Sequence, residues 1–330
     1  MIKIVNENLK ITIAVLSTLS ISYLVLVSVI IYQFPDEDNL CVLQTNFFEQ
    51  DFDTSQKIIL LGSSQTARIN QTYISDYLLE HNFNYQVFNL ANPGDVSTER
   101  LFTLDKTISI KPSLVVYGVG YWDFEYSIIP RTAIQKPDTF LFEPQKFFHQ
   151  DLFPKNQPTL CEHGFLNSPK GATQKIIRDF FNPQEEPVKI SDPHLPFEKY
   201  TQGSFIIRNE SEILEHPIFQ VEFRGINPEH ENIDALKKII TKFQENDVKV
   251  VLFTTPYHPT FFKELSERDE KDFQKVIENI QNEMNVNVYQ IHKEYTELDI
   301  WNDYAHIVRG GEAIIVTKDI SEIILKEIES

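Results

Sequence analysis

The hydrophobic positions of this chain follow two rhythms separated by a long irregular stretch. Short unbroken apolar runs, the mark of buried strands, alternate with longer segments whose apolar residues recur about every three to four positions, the mark of amphipathic helices. From Lys57 onward "KIILLG" reads as a strand, "QTYISDYLLEHN" as a helix, "YQVFNLA" as a strand, "STERLFTLDKTISI" as a helix and "SLVVYGVG" as a strand. The alternation returns near residue 232: "NIDALKKIITKFQEN" is a helix, "VKVVLFTT" a strand, "ERDEKDFQKVIENIQNEMN" a helix, "VNVYQI" a strand and "GGEAIIVTKDISEIILKEI" a closing helix. Strands and helices alternating at these lengths predict an α/β fold with a parallel sheet covered on both faces.

Two regions break the rhythm. Ile11 to Phe34 carries no charged residue and exceeds the ~20 residues a helix needs to cross a bilayer, so it is expected to be a transmembrane anchor. A cleaved signal peptide is the competing reading, but the apolar region is longer than a signal core of ~7–15 residues and no A-x-A-like cleavage site follows it. Lys3 and Lys10 precede the segment and Asp36, Glu37 and Asp38 follow it, which places the N-terminus in the cytoplasm and the rest outside. The chain then divides into a cytoplasmic tail (1–10), an anchor (11–34), a polar stem (35–56) and an α/β domain (57–330). The second break, Phe124 to Asn232, holds 12 of the 17 prolines. It is expected to be an insertion of loops and short elements over the sheet, forming a binding surface or a plain cap.

Composition narrows the function. A formal charge of −18 over 330 residues disfavours nucleic acid, whose phosphates need clustered Lys and Arg. Cys41 and Cys161 allow one disulfide or two free thiols. Two N-x-[ST] sequons, at Asn70 and Asn209, suit an outward-facing chain. No metal or other cofactor is implied, because the histidines are scattered and "CEH" at Cys161 to His163 lacks a second ligand pair. Arg208 and Arg224 are read as structural or solvated, with an anionic substrate group as the alternative.

In an open parallel sheet, ligands gather beyond the carboxyl ends of the strands. There the sequence places Gly62-Ser63-Ser64-Gln65-Thr66, Asn92-Pro93-Gly94, Gly118 to Asp123, and Trp301 to His306. A serine hydroxyl becomes nucleophilic when an imidazole takes its proton, and a carboxylate fixes the imidazole tautomer. If residues 303–306 form one helical turn, Asp303 and His306 share a side of it and converge. Ser64, at a strand-to-helix junction, would have its own N–H and a helix N-terminus for an oxyanion. The bland alternatives are that Ser63, Ser64 and Thr66 cap the next helix, that Asp303 caps the last one, and that Gly94 permits a turn. His258, in "FTTPYHPTFF", is either a substrate contact or an ordinary loop histidine.

These blocks resemble the SGNH, or GDSL-like, hydrolase superfamily, whose pattern runs G-D-S-x-T, a glycine block, G-x-N-D and a late D-x-x-H. Asp303-Tyr304-Ala305-His306 matches the last block in full, and Gly94 fits the second. Ser63 stands where Asp is usual, and Trp122 stands where an oxyanion-binding Asn is usual. The resemblance implies a flavodoxin-like three-layer sandwich, with Ser64 as nucleophile, His306 as base, Asp303 as its orienting acid, and the N–H groups of Ser64 and Gly94 as oxyanion donors. Ser63, Trp122, Asp123 and His258 are the candidate substrate contacts. It further implies a membrane-anchored esterase or O-acyltransferase acting on surface glycans, similar to accessory proteins of polysaccharide O-acylation that work beside a multispanning acyltransferase. The alternative is a non-catalytic binding or scaffolding member, which the substituted Asp and Asn positions would permit.

Overall fold

The computed structural model describes residues 50–92, 94–125, 205–215 and 223–330, together with Thr18, Ser22, Tyr23, Phe47 and Phe48. Nearly all of the expected anchor, the stem up to Thr45, both cysteines and most of the insertion lie outside the described residues. Among the described residues, no helix is long and apolar enough to cross a membrane.

Five parallel strands form the sheet: β1 (Gln56–Leu61), β2 (Tyr85–Asn89), β3 (Leu114–Val119), β4 (Lys249–Thr254) and β5 (Asn287–Gln290), in the order β2-β1-β3-β4-β5. Ile58 to Leu61 have no solvent exposure, and β3 is buried along its whole length, which explains continuous apolar runs in place of the alternation of a half-exposed strand. Ile59 lies opposite Phe88 on one side and Val115 on the other. Val116 in turn faces Val251.

The helices are α1 (Gln71–Glu80), α2 (Ser97–Arg100), α3 (Leu104–Ser109), α4 (Glu210–Leu214), α5 (Glu231–Gln244), α6 (Pro259–Glu264), α7 (Glu267–Met284) and α8 (Ile314–Glu329). From β1 the chain steps outward to β2, then runs back across β1 to β3 and onward. Right-handed crossovers therefore put α1 on one face and α2, α5 and α7 on the other. The packing agrees: α8 returns to lie against α1, while α5 touches α2 and α7. This doubly wound order has its switch point between β1 and β3, the edge at which sheets of this kind bind their ligands.

Several local expectations are corrected. The segment 97–110 is not one helix. A 3-10 turn, Leu101–Thr103, interrupts it, where Thr103 Oγ1 donates back to Arg100 O at 3.2 Å and such bonds compete with the helical ladder. The two sequon asparagines serve as helix caps: Asn70 accepts from Tyr73 N–H at 3.0 Å and Asn209 from Glu212 N–H at 3.1 Å. The insertion's two roots are stapled together, with Glu125 bridged to Ile226 and Asn227 N–H donating to Phe124 O at 2.8 Å.

Candidate active site

Gly62 ends β1 with φ +137, a conformation glycine adopts without the steric cost an L side chain would meet. It sits in close approach to β3, where an added Cβ would lie 2.8 Å from Gly118 O. The chain then turns through Ser63 to Arg68, with Ala67 N–H donating to Ser63 O at 3.1 Å. Only a three-residue 3-10 turn, Thr66–Arg68, follows, and α1 begins at Gln71 under its own cap, Asn70. Neither serine caps that helix, and α1 starts seven residues beyond Ser64, so the expected help from its N-terminus is absent.

Ser64 Oγ lies 2.7 Å from His306 Nε2. On the other side of the ring, His306 Nδ1 is 2.9 Å from Asp303 Oδ1 and 3.0 Å from Oδ2. Thus the three residues picked out in the sequence form one hydrogen-bonded relay at the carboxyl end of β1. His306 keeps 13% side-chain exposure and Asp303 only 3%, so the imidazole edge is reachable while the carboxylate is sealed behind it.

Residues 303–306 do not form the helical turn that would bring Asp303 and His306 together by spacing alone. They form a tight bend inside an antiparallel bridge between Trp301 and Ile307, closed by Asn302 N–H to His306 O at 2.8 Å and Val308 N–H to Ile300 O at 2.7 Å. Asp303 Oδ1 shapes the bend from within, accepting the N–H groups of Ala305 and His306, each at 2.9 Å. Burial pushes the Asp303 carboxyl upward, but the His306 ring and these two N–H donors outweigh it and hold the group below its ordinary value. It stays an anion, which is the state that orients an Nδ1–H tautomer. Arg68 adds positive charge nearby: burial lowers its pKa, and attraction to Asp303 opposes that shift.

Gly94 follows β2 in an exposed turn with φ +73. Asp95 N–H donates to Asn92 O at 3.0 Å, and Asn92 N–H reaches Gly62 O at 3.1 Å, which ties this turn to the root of the Ser64 loop. Behind Gly94, Arg100 is buried, paired with Asp95 and donating to Leu90 O at 3.0 Å. Nothing in the residue pattern marks this ion pair, because both partners look like ordinary surface charges.

The remaining candidates have mostly structural work. Asp123 accepts Gly120 N–H at 2.6 Å and closes the turn after β3. His258 caps α6, its Nδ1 accepting Thr260 N–H at 3.1 Å, and its own N–H donates to Tyr304 O at 2.9 Å. Its ring stands edge-on to Trp301 with centroids 5.6 Å apart. Trp122 is half-buried between Phe223 and Tyr304, at centroid distances of 5.5 and 6.1 Å, so an aromatic face borders the bend where the resemblance expects an amide. Ser63 is half-buried in the turn beside the nucleophile position. Arg208, read as structural or solvated, clamps the bend: its N–H donates to Trp301 O at 2.9 Å and its Nη1 to Asn302 O at 2.6 Å. Among the described residues, no cluster of His, Cys, Asp and Glu is placed to hold a metal.

No family model matches this sequence, and no curated protein does. Among solved structures the chain is similar to TesA at 12% identity, over 82% of this chain and 97% of that one, with a TM-score of 0.41. It is similar to the lipase/acylhydrolase from Enterococcus faecalis at 14% identity, over 83% and 95%, with a TM-score of 0.42. The psychrotrophic esterase EstA from Pseudoalteromonas sp. gives 13%, 83%, 100% and 0.43 respectively. At such identities and scores the likeness speaks to neither substrate nor chemistry, and the functional reading rests on the side chains themselves.

Proposed function

We propose that this chain is a serine acyl-ester enzyme, an esterase or O-acyltransferase, held outside a membrane by Ile11 to Phe34 and acting on surface glycans. The observation that carries the reading is the relay itself: Ser64 Oγ 2.7 Å from His306 Nε2, with His306 Nδ1 2.9 Å from a buried carboxylate. These distances fit a nucleophile, a general base and an orienting group. The Ser64 hydroxyl donates to Nε2, and as Oγ bonds to an acyl carbon its proton passes to the imidazole. The Ser64 and Gly94 N–H groups hold the oxyanion, and the leaving alkoxide takes the proton from Nε2 as its bond to the acyl carbon breaks. Water or a sugar hydroxyl then attacks the acyl-serine, gives its proton to Nε2, and Ser64 Oγ recovers a proton as it departs. The glycan target, the anchor and a multispanning acyltransferase partner rest on the sequence pattern and its resemblance alone.

A fluorophosphonate probe tests the nucleophile directly, because it bonds only to an activated hydroxyl. The wild-type protein is expected to label and Ser64→Ala to stay blank. Equal labelling of the two would remove Ser64 from the chemistry, and no labelling of either would favour the non-catalytic binding role.

A further inference from the structure

We propose that Gln65 is a positioning residue that keeps His306 in place while Ser64 is acylated, and that it therefore serves the second half of the reaction more than the first. The inference rests on the catalytic reading of Ser64 and His306 given above. Gln65 is 8% exposed, and each polar atom of its amide is engaged. Nε2 donates to Ala305 O at 2.9 Å, the carbonyl of the peptide bond that leads into His306. Oε1 accepts from Thr255 Oγ1 at 2.9 Å and faces Tyr257 Oη at 3.4 Å. The amide thus bolts three separate pieces of chain together: the loop after β1, the end of β4 and the bend that carries the imidazole.

The placement matters because of what happens to its neighbour. In the resting site two side-chain hydrogen bonds described above tie the Ser64 loop to the bend, Ser64 to His306 and Gln65 to Ala305, and Arg68 adds a longer-range attraction to Asp303. Once Oγ carries an acyl group it has no proton to donate, so the first link is lost when the imidazole must still sit within reach of an incoming water or hydroxyl. The Gln65 hydrogen bond is left intact by acylation, and it is the one made directly to the peptide bond that leads into His306. Its amide is also hard to displace: Gly120 packs so tightly against it that an added Cβ would lie 2.8 Å from Oε1 and 2.6 Å from Thr255 Oγ1. A rigidly held base is worth much here, since a misplacement of about 1 Å can cost on the order of a hundredfold in rate.

Gln65→Met keeps length and apolar volume while deleting every one of these bonds. With 4-nitrophenyl acetate as probe, intact-protein mass spectrometry reads the fraction of enzyme carrying an acetyl group at steady state, and stopped-flow absorbance reads nitrophenolate release. The variant is expected to turn over roughly tenfold to a hundredfold more slowly while its acetylated fraction rises above that of wild type. A parallel fall of both half-reactions, leaving the acetylated fraction unchanged, would overturn the inference, as would wild-type turnover. Thr255→Val, which removes the rear anchor of Oε1 together with a longer contact to Val119 O at 3.4 Å, is expected to shift the fraction in the same direction by a smaller amount, and decides the matter if Gln65→Met does not fold. Ser64→Ala separates the two levels of the argument: an equal acetyl adduct on that variant would sink the serine chemistry itself.

Discussion

Asp303 shows how one side chain sets a site. Its Oδ1 takes three donors, two backbone N–H groups and the imidazole, so it both folds the bend and chooses the ring's tautomer. Asp303→Asn preserves the shape but presents an amide to Nδ1, and steady-state ester hydrolysis is expected to fall by roughly 10³–10⁴-fold with little change in circular dichroism. A fall below about tenfold would show that the carboxylate is not needed to orient the ring. Gly120 is the opposite case, a residue whose value lies in what it lacks. Gly120→Ala would drive a methyl group into the Gln65, Thr255 and Tyr257 oxygens, and a loss of about 1–3 kcal/mol is expected from such overpacking, read as a shift of the urea midpoint.

The same bend depends on elements far from it in sequence. Phe205 to Asn209 runs alongside Trp301 and Asn302, exchanging Arg208 N–H to Trp301 O, Arg208 Nη1 to Asn302 O, and Asn302 Nδ2 to Ile206 O at 3.1 Å. Arg208→Met removes the guanidinium from the carbonyl that directly precedes Asp303, and turnover is expected to fall several-fold to about a hundredfold with the midpoint of thermal unfolding nearly unchanged. Unchanged turnover would make the clamp dispensable. Elements of this kind were the least legible in the sequence. The five strands could be placed within a residue or two because β1, β3 and β4 are buried apolar runs ended by glycine or polar residues, and β2 and β5, though partly exposed, are short segments set between helices. Helix α6, with six residues, and α4, with five, are too short to display a helical period. The spacing of Asp303 and His306 does not fix the backbone between them, because a three-residue separation brings the two side chains together on a helical turn and on this bend alike. Ser64, Asp303 and His306 could be picked out by chemistry and order along the chain. Gln65 and Arg208 could not: Arg208 holds backbone carbonyls, which every residue has, and Gln65 joins one such carbonyl to hydroxyls some 190 positions away.

Across the molecule, acid stability should report on histidines shut away from solvent. His292, 8% exposed, sits among Tyr121, Phe262 and Phe273, with its Nδ1 2.9 Å from Thr254 Oγ1. Burial chiefly lowers its pKa from 6.5 to about 4, Lys293 adding to the shift and Glu270 opposing it. Between those values the unfolded chain binds a proton that the folded one refuses, so stability rises with pH across that window and is lost as pH falls through it. The full shift corresponds to at most about 3 kcal/mol. His258 is lowered as well, mainly by burial, and works in the same sense. Asp303 acts at still lower pH: its depressed pKa adds stability above its ordinary 3.8 that disappears as pH falls through the folded value. His292→Gln is expected to flatten the dependence of the unfolding midpoint on pH between 6.5 and 4. An unaltered slope would mean that other groups carry the acid response.

The link from Ser64 to His306 spans 242 positions. During synthesis the hydroxyl emerges early and stays chemically idle while most of the polypeptide is still to be made. Under the proposed chemistry, a chain that ends anywhere before the bend lacks both base and orienting acid, so activity at Ser64 would certify that translation has passed that point.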